Sequence, residues 1–261
     1  MNFKRVRTIT LHSWYHLNHS VETWVDLFWF STIQIIVFGL MATYFIQTGN
    51  TANAQIILLG LVLWGVIVVG QYSVTIGALW EIWSKSFSNL FITPLTLTEF
   101  VTGHMIGGFF KASAVFLITS LLTIPLFDFS IFSLGPLLIL FFLELIIFSW
   151  SAGMFIFGLI LRFGTNIASL GWGLIYIVQP LAAVFYPLEV LPGSIRWLSY
   201  AFPVTYIFET ARHLLTTREV LWAYILYASV LNIIYFILSY WFMNKMLIRG
   251  KRTGAFARME S

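Results

Sequence analysis

The chain has 261 residues and no cysteine; 59% of it is hydrophobic, 18% aromatic and only 9% charged, with a formal net charge of +4, where an average soluble domain is about 25% charged. So few charges exclude a water-facing surface over most of the chain, and a bilayer is the solvent that accepts this much apolar area. Without cysteine there are no disulfides, thiolate nucleophiles or cysteine-bound metals, and the basic residues flank apolar runs instead of forming the patch that nucleic acid requires.

The lead, 1–24, carries Trp14, Tyr15, Leu17 and Trp24 among basic and histidine residues. That composition suits an amphipathic helix lying in the headgroup layer. Within it His12, His16 and His19 share one helical face at i, i+4 and i+7. The spacing is one that metal ligands use, but with no carboxylate cluster beside it the expectation is solvated histidines and no metal site. The first apolar run begins only near Val25 and no short apolar core precedes a small-residue cleavage site, so no cleaved signal peptide is expected.

Six stretches have the length and apolarity to cross a hydrocarbon core, which takes about 20 helical residues: 25–46, 54–79, 100–126, 131–161, 165–186 and 221–247, followed by a basic tail, 248–261. The short turn after the first span and the tight Asp128 connection after the third predict two antiparallel helical hairpins. With the amino terminus inside, Lys4, Arg5, Arg7, Lys85, Arg162, Lys245, Arg249, Lys251, Arg252 and Arg258 are cytoplasmic, against Arg196, Arg212 and Arg218 outside. Ten against three obeys the positive-inside rule, so both termini are expected in the cytoplasm of a multi-pass protein.

Between the second and third spans, Trp80, Trp83, Phe87, Leu90 and Phe91 recur at helical spacing, while Glu81, Lys85, Ser88 and Asn89 turn the other way. This predicts a short amphipathic helix stopped at Pro94, either a connector or a docking surface for a partner. In the outer segment Pro187, Pro192 and Pro203 break any continuous helix. They leave two short pieces that form either a re-entrant pair capping a path or an ordinary hairpin. Lys111 and Glu144 are the ionisable residues inside spans, and the cost of burying charge in hydrocarbon makes them candidates for the transport path. Lys111 also has the stem to snorkel inward, and Glu144 has the alternatives of a polar cavity or protonation.

No G-x-x-x-x-G-K followed by Ser or Thr occurs, so any nucleotide energy comes from another subunit. Neither H-E-x-x-H nor G-x-S-x-G is present, which leaves an enzyme little to work with.

The order of these features closely resembles the type-two ABC exporter permeases, a family that includes drug, polysaccharide and teichoic-acid export permeases. The resemblance rests on Thr93-Pro94-Leu95-Thr96-Leu97-Thr98-Glu99-Phe100 with Gly103, and on Tyr186-Pro187-Leu188-Glu189-Val190-Leu191-Pro192 followed by Phe202-Pro203-Val204-Thr205-Tyr206 and Glu209-x-x-Arg212. It implies an all-α integral membrane fold: six transmembrane helices, an N-terminal amphipathic interfacial helix, a cytoplasmic coupling helix, and outer re-entrant helices between spans five and six. On the same resemblance Glu81, Trp83, Lys85, Ser88, Asn89 and Leu90 dock onto a separate ABC ATPase that binds the ATP, while this chain carries no cofactor and no catalytic residue. Pro187, Glu189, Pro192, Pro203, Tyr206, Glu209 and Arg212 shape the outer re-entrant region. The implied assembly pairs two permease copies or paralogues in the plasma (inner) membrane and exports a hydrophobic, amphipathic or lipid-linked cargo. The alternative is a secondary transporter or channel without an ATPase, for which neither an inverted repeat nor a ring of intramembrane charge is visible.

Overall fold

The computed structural model describes residues 1–21, 25, 30–87 and 92–252, and among these all regular structure is helical. In chain order the α-helices are α1 (Phe3–His19), α2 (Phe30–Gln47), α3 (Thr51–Trp83), α4 (Leu97–Phe127), α5 (Leu137–Phe163), α6 (Leu170–Gly173), α7 (Ile175–Leu181), α8 (Gly193–Ser199), α9 (Pro203–Thr217) and α10 (Trp222–Arg252). Single 3-10 turns fall at Ile131–Leu134, Thr165–Ile167 and Leu188–Val190.

Local chemistry sets the ends. Asn2 and Asn50 cap α1 and α3 with their side chains, and Thr96 with Glu99 forms a reciprocal capping box at the start of α4. Asp128 and Arg218 close α4 and α9 in the left-handed conformation.

Four helices, α3, α4, α5 and α10, are long and apolar enough to cross a membrane, and α2 contributes a shorter apolar stretch, Thr32–Gln47. The inner pair, α3 and α5, has 67% and 61% of its most apolar window buried, against 33% for α4 and 22% for α10. Apolar faces left open on that scale have no stable place in water, so the chain is a membrane protein whose outer helices face lipid or another subunit.

α3 is the hub: α2, α4 and α5 all pack on it, and α10 packs along α5. The predicted hairpin of the first two spans is present as α2 and α3. The predicted hairpin of the next two is not the main contact, because α3 lies against both. Small residues allow that approach: Gly108 of α4 faces Ser73, and Thr75 of α3 donates its hydroxyl to Gly153 O of α5 at 3.3 Å.

Several predicted boundaries change: α5 starts at Leu137, after the 3-10 turn at Ile131–Leu134, and α10 runs on to Arg252. The second span does not end near Leu79; α3 continues through Trp83, so Trp80 to Trp83 form its last turn and not the start of a separate helix. The predicted fifth span, 165–186, is segmented into a 3-10 turn, α6 and α7 and ends at Leu181. Its backbone bonds alternate between i−3 (Gly171 to Ala168, Trp172 to Ser169) and i−4 (Leu174 to Leu170). Gly171, Gly173 and Pro180 weaken the regular ladder there.

Candidate functional site

At one end of the bundle α1 lies along the first turns of α4. Asn2 N donates to Glu99 at 2.6 Å, Ile9 sits over Gly103, and Lys111 Nζ donates to Ser13 Oγ at 3.1 Å. A β-carbon on Gly103 would lie 2.5 Å from Ile9 Cβ, so the glycine is what lets the two helices touch. One face of α1, with Val6, Ile9 and Ser13, is therefore buried against α4. That contact is more specific than lying in a headgroup layer.

Glu81 is drawn into this contact. Its carboxylate meets His12 Nδ1 at 3.1 Å and accepts the Ser86 hydroxyl, and the residue is buried. The predicted outward-facing Glu81 is thus corrected: a carboxylate beside α1 gains more from an imidazole partner than from solvent. The hydrogen bond to Glu81 raises the His12 pKa above its ordinary 6.5, against the lowering effect of burial. Lys85 faces out as expected, and Trp83, from the expected apolar face, is exposed as well. Trp83 stacks on Trp172 with centroids 5.7 Å apart, and Lys85 turns the chain with φ 57°. Ser88, Asn89 and Leu90 lie outside the described residues.

The three lead histidines diverge. His12 meets Glu81, His16 packs near Trp80 at 5.4 Å between centroids, and His19 stacks on Tyr15 at 4.0 Å. Among the described residues no three His, Cys, Asp or Glu side chains are grouped to hold a metal ion. A small polar cavity of about 60 Å³ lies between α1, α3 and α4, lined in part by His12, Glu81, His104 and Lys111. That is large enough to hold water. Both ring nitrogens of the buried His104 are without a protein partner.

Lys111 and Glu144 are not brought together. Glu144, on α5, accepts Asn232 Nδ2 of α10 at 2.6 Å and the Ser229 hydroxyl, while Asn232 also donates to the Glu144 carbonyl at 2.9 Å. A buried acid is thereby wrapped by two neutral donors from the next helix, which is how a polar group is kept among apolar helices.

At the opposite end, α8 and α9 form a hairpin beside α10. Pro187 and Pro192 are extended residues ahead of the 3-10 turn and α8, and Pro203 occupies the first turn of α9, where its missing N–H costs nothing. Leu188 N donates to Glu209 Oε1 at 2.9 Å, Glu209 pairs with Arg212, and Arg212 Nη1 donates to Ala183 O at 2.7 Å. The chain segments before and after the prolines are thus fastened at one buried guanidinium. Tyr206 donates to Tyr200 O at 3.0 Å and packs edge-on to Tyr224 of α10. The apex reaches far along α10: Tyr235 donates to Ala201 O at 3.0 Å, thirteen residues from Trp222, or roughly 20 Å of helix. From there α9 returns to Arg218, whose guanidinium donates to Ser133 O in the link between α4 and α5.

The family described as ABC-2 type transporter matches residues 14–216. The chain belongs to this family. No curated protein matches it. In this ABC-2 type transporter chain the match begins within α1 and ends within α9, so it spans both the α1, α3 and α4 cluster and the outer hairpin, and α10 lies beyond it. Sequence reasoning missed four participants: His104, Asn232, Ser229, and Glu99 as the anchor of α1. The Thr96 to Glu99 spacing is a readable capping signal. The others carry no local signal, because their roles arise only from packing between distant helices.

Proposed function

We propose that this ABC-2 type transporter chain is the membrane-spanning permease subunit of an ATP-driven exporter, carrying a hydrophobic, amphipathic or lipid-linked cargo outward while a separate ABC ATPase hydrolyses the nucleotide. It supplies path and linkage and no hydrolytic site. The observation that carries the reading is the family match across both ends of the bundle. It is supported by the exposed Trp83 and Lys85 at the tip of α3, next to the segment that the sequence pattern marks for docking. The reading takes six crossings: α2, α3, α4, α5, the segmented 165–181 stretch and α10, with the α8 and α9 hairpin re-entering from outside.

We place the chain in the plasma (inner) membrane on its family resemblance, and the charge bias puts Lys4 and Lys251 both on the cytoplasmic side. The three arginines that run against it are tied to the protein: Arg196 donates to Leu191 O at 2.9 Å, Arg212 to Ala183 O and Arg218 to Ser133 O. Their positions therefore answer to the hairpin and not to topology. A second permease copy or paralogue completes the path, and the unpacked face of α2 (Ile33, Ile36, Leu40, Tyr44) is exposed to receive it or lipid.

The test is co-purification of an ABC ATPase with the chain in mild detergent, using Trp83→Ala and Lys85→Glu. Loss of a central aromatic anchor weakens such a contact by roughly 2 kcal/mol, about 30-fold, so both variants are expected to release the ATPase and its nucleotide hydrolysis. Full retention in both moves the docking surface away from Trp83 and Lys85; no ATPase co-purifying with the unsubstituted chain, or cargo movement at undiminished rate without nucleotide, overturns the reading in favour of a secondary transporter or channel.

A further inference from the structure

We infer that the groove between α5, α7 and α10 is a binding site for an acyl chain of an acidic phospholipid from the inner leaflet, with Lys245 at its phosphate end. The cavity measures about 460 Å³, within the range of about 300 to 1,000 Å³ typical of ligand pockets. Its walls are Ala152 and Phe155 of α5, Ile177 of α7, and Leu238, Trp241 and Phe242 of α10. Tyr235 and Ser239 bring hydroxyls to the wall, and that of Tyr235 is spent on Ala201 O. Water has almost nothing to bind there, whereas a hydrocarbon chain has aromatic and aliphatic surface on three sides.

Three observations select the occupant. The groove is open on its flank, since Phe155, Ile177, Leu238 and Trp241 are all exposed; a chain enters sideways from the bilayer. Phe202, at the apex of the outer hairpin, lines the same cavity as Tyr235. From Tyr235 to Lys245 is about 15 Å of helix, half of the roughly 30 Å hydrocarbon core, so the groove holds the chain of one leaflet only. At its other mouth Lys245 Nζ lies 4.4 Å from the centroid of the Trp241 ring, a cation held over an aromatic face. Arg249, Lys251 and Arg252 follow, and α10 contains no Asp or Glu. The four cations give this end of α10 a net positive charge, which at headgroup level favours an anionic lipid over a zwitterionic one.

The inference rests on the chain lying in the membrane with the basic end of α10 cytoplasmic, as in the proposed topology, and not on any ATPase, so it stands or falls separately from the coupling experiment. Phosphatidylglycerol with a diazirine in its acyl chain is photolysed in phosphatidylcholine vesicles containing the full-length protein. Adducts are expected to concentrate in 148–156 and 235–242 and to be competed by unlabelled phosphatidylglycerol. Ala152→Trp and, from the facing wall, Ile177→Trp are each expected to abolish these adducts while leaving the adducts on α2 unchanged. Using both keeps the test intact if one fails to fold. Lys245→Gln is expected to lower the preference for phosphatidylglycerol over phosphatidylcholine by about fivefold, one cation's share at a membrane surface, without removing labelling. Even labelling over α2 and α10, or adducts that survive both tryptophans, overturns the site. So does disulfide dimerisation of Leu238→Cys that shields the groove from lipid, since a second copy would then be its occupant.

Discussion

The two ends of the bundle are fastened with different chemistry. The outer hairpin is held by guanidinium groups: Arg212 joins Glu209 to Ala183 O, Arg196 holds Leu191 O, and Arg218 reaches Ser133 O. The α1, α3 and α4 cluster also has a guanidinium, Arg5 on Glu99 and Pro94 O, but adds an imidazole on Glu81 and an ammonium on a serine hydroxyl. Arginine stays charged at any working pH and bridges several oxygens in a fixed fork, whereas histidine changes charge near neutrality. One end is therefore held at any working pH, and the other is in part conditional on pH.

The largest break in that comparison is Arg212→Ala. Arg212 is buried, and removing it leaves Glu209 without its cation and Ala183 O without a donor. Breaking such a pair from one side costs about 3 to 5 kcal/mol. The expected outcome is a large fall in unfolding temperature in detergent, measured by circular dichroism, with only partial recovery in Arg212→Lys, which keeps the charge but loses the fork. An unchanged midpoint would mean that the hairpin is not fastened there.

A smaller and more local break is Gly103→Leu. The added side chain meets Ile9 inside normal contact distance and must push α1 off α4. Overpacking of this kind costs about 1 to 3 kcal/mol. Hydrogen exchange should show the amides of α1 losing protection while those of α9 keep theirs. Equal loss at both ends would show the two regions to be one cooperative unit.

How much of this was legible in the sequence differs between the same two regions. The two short pieces between the prolines emerge close to α8 and α9 because proline and the apolar pattern act locally, and Glu209-x-x-Arg212 stood out as a motif though not as an ion pair. The inner end was read less well. Periodicity from Trp80 onward suggested a new helix, but periodicity cannot say whether a helical face begins an element or ends one, and α3 simply continues through it. Glu81 looked solvent-facing because its partner, His12, is 69 positions away and arrives only when α1 docks. For the same reason Lys111 and Glu144 stood out as isolated charges, while the Ser13, Ser229 and Asn232 that satisfy them were invisible.

The finest test of the conditional end is pH. A His12 pKa raised above 6.5 means that protonation strengthens the docked state of α1. The stabilisation is complete below 6.5 and disappears as pH rises through the higher docked value. Glu81 faces His12 directly, and His16, His104 and Lys111 line the same cavity, so the expected effect is modest. The chain has no cysteine, and Leu11→Cys, at an exposed position on α1, takes a single spin label without disturbing the packed face. Between about pH 5 and pH 8, the interval over which an imidazole loses its charge, the label should become more mobile as α1 loosens. In Leu11→Cys combined with His12→Gln the mobility should be the same at both ends of that interval. A pH response that survives the His12 substitution would assign the switch to a neighbouring imidazole, and no response in either protein would make the inner clasp as permanent as the outer one.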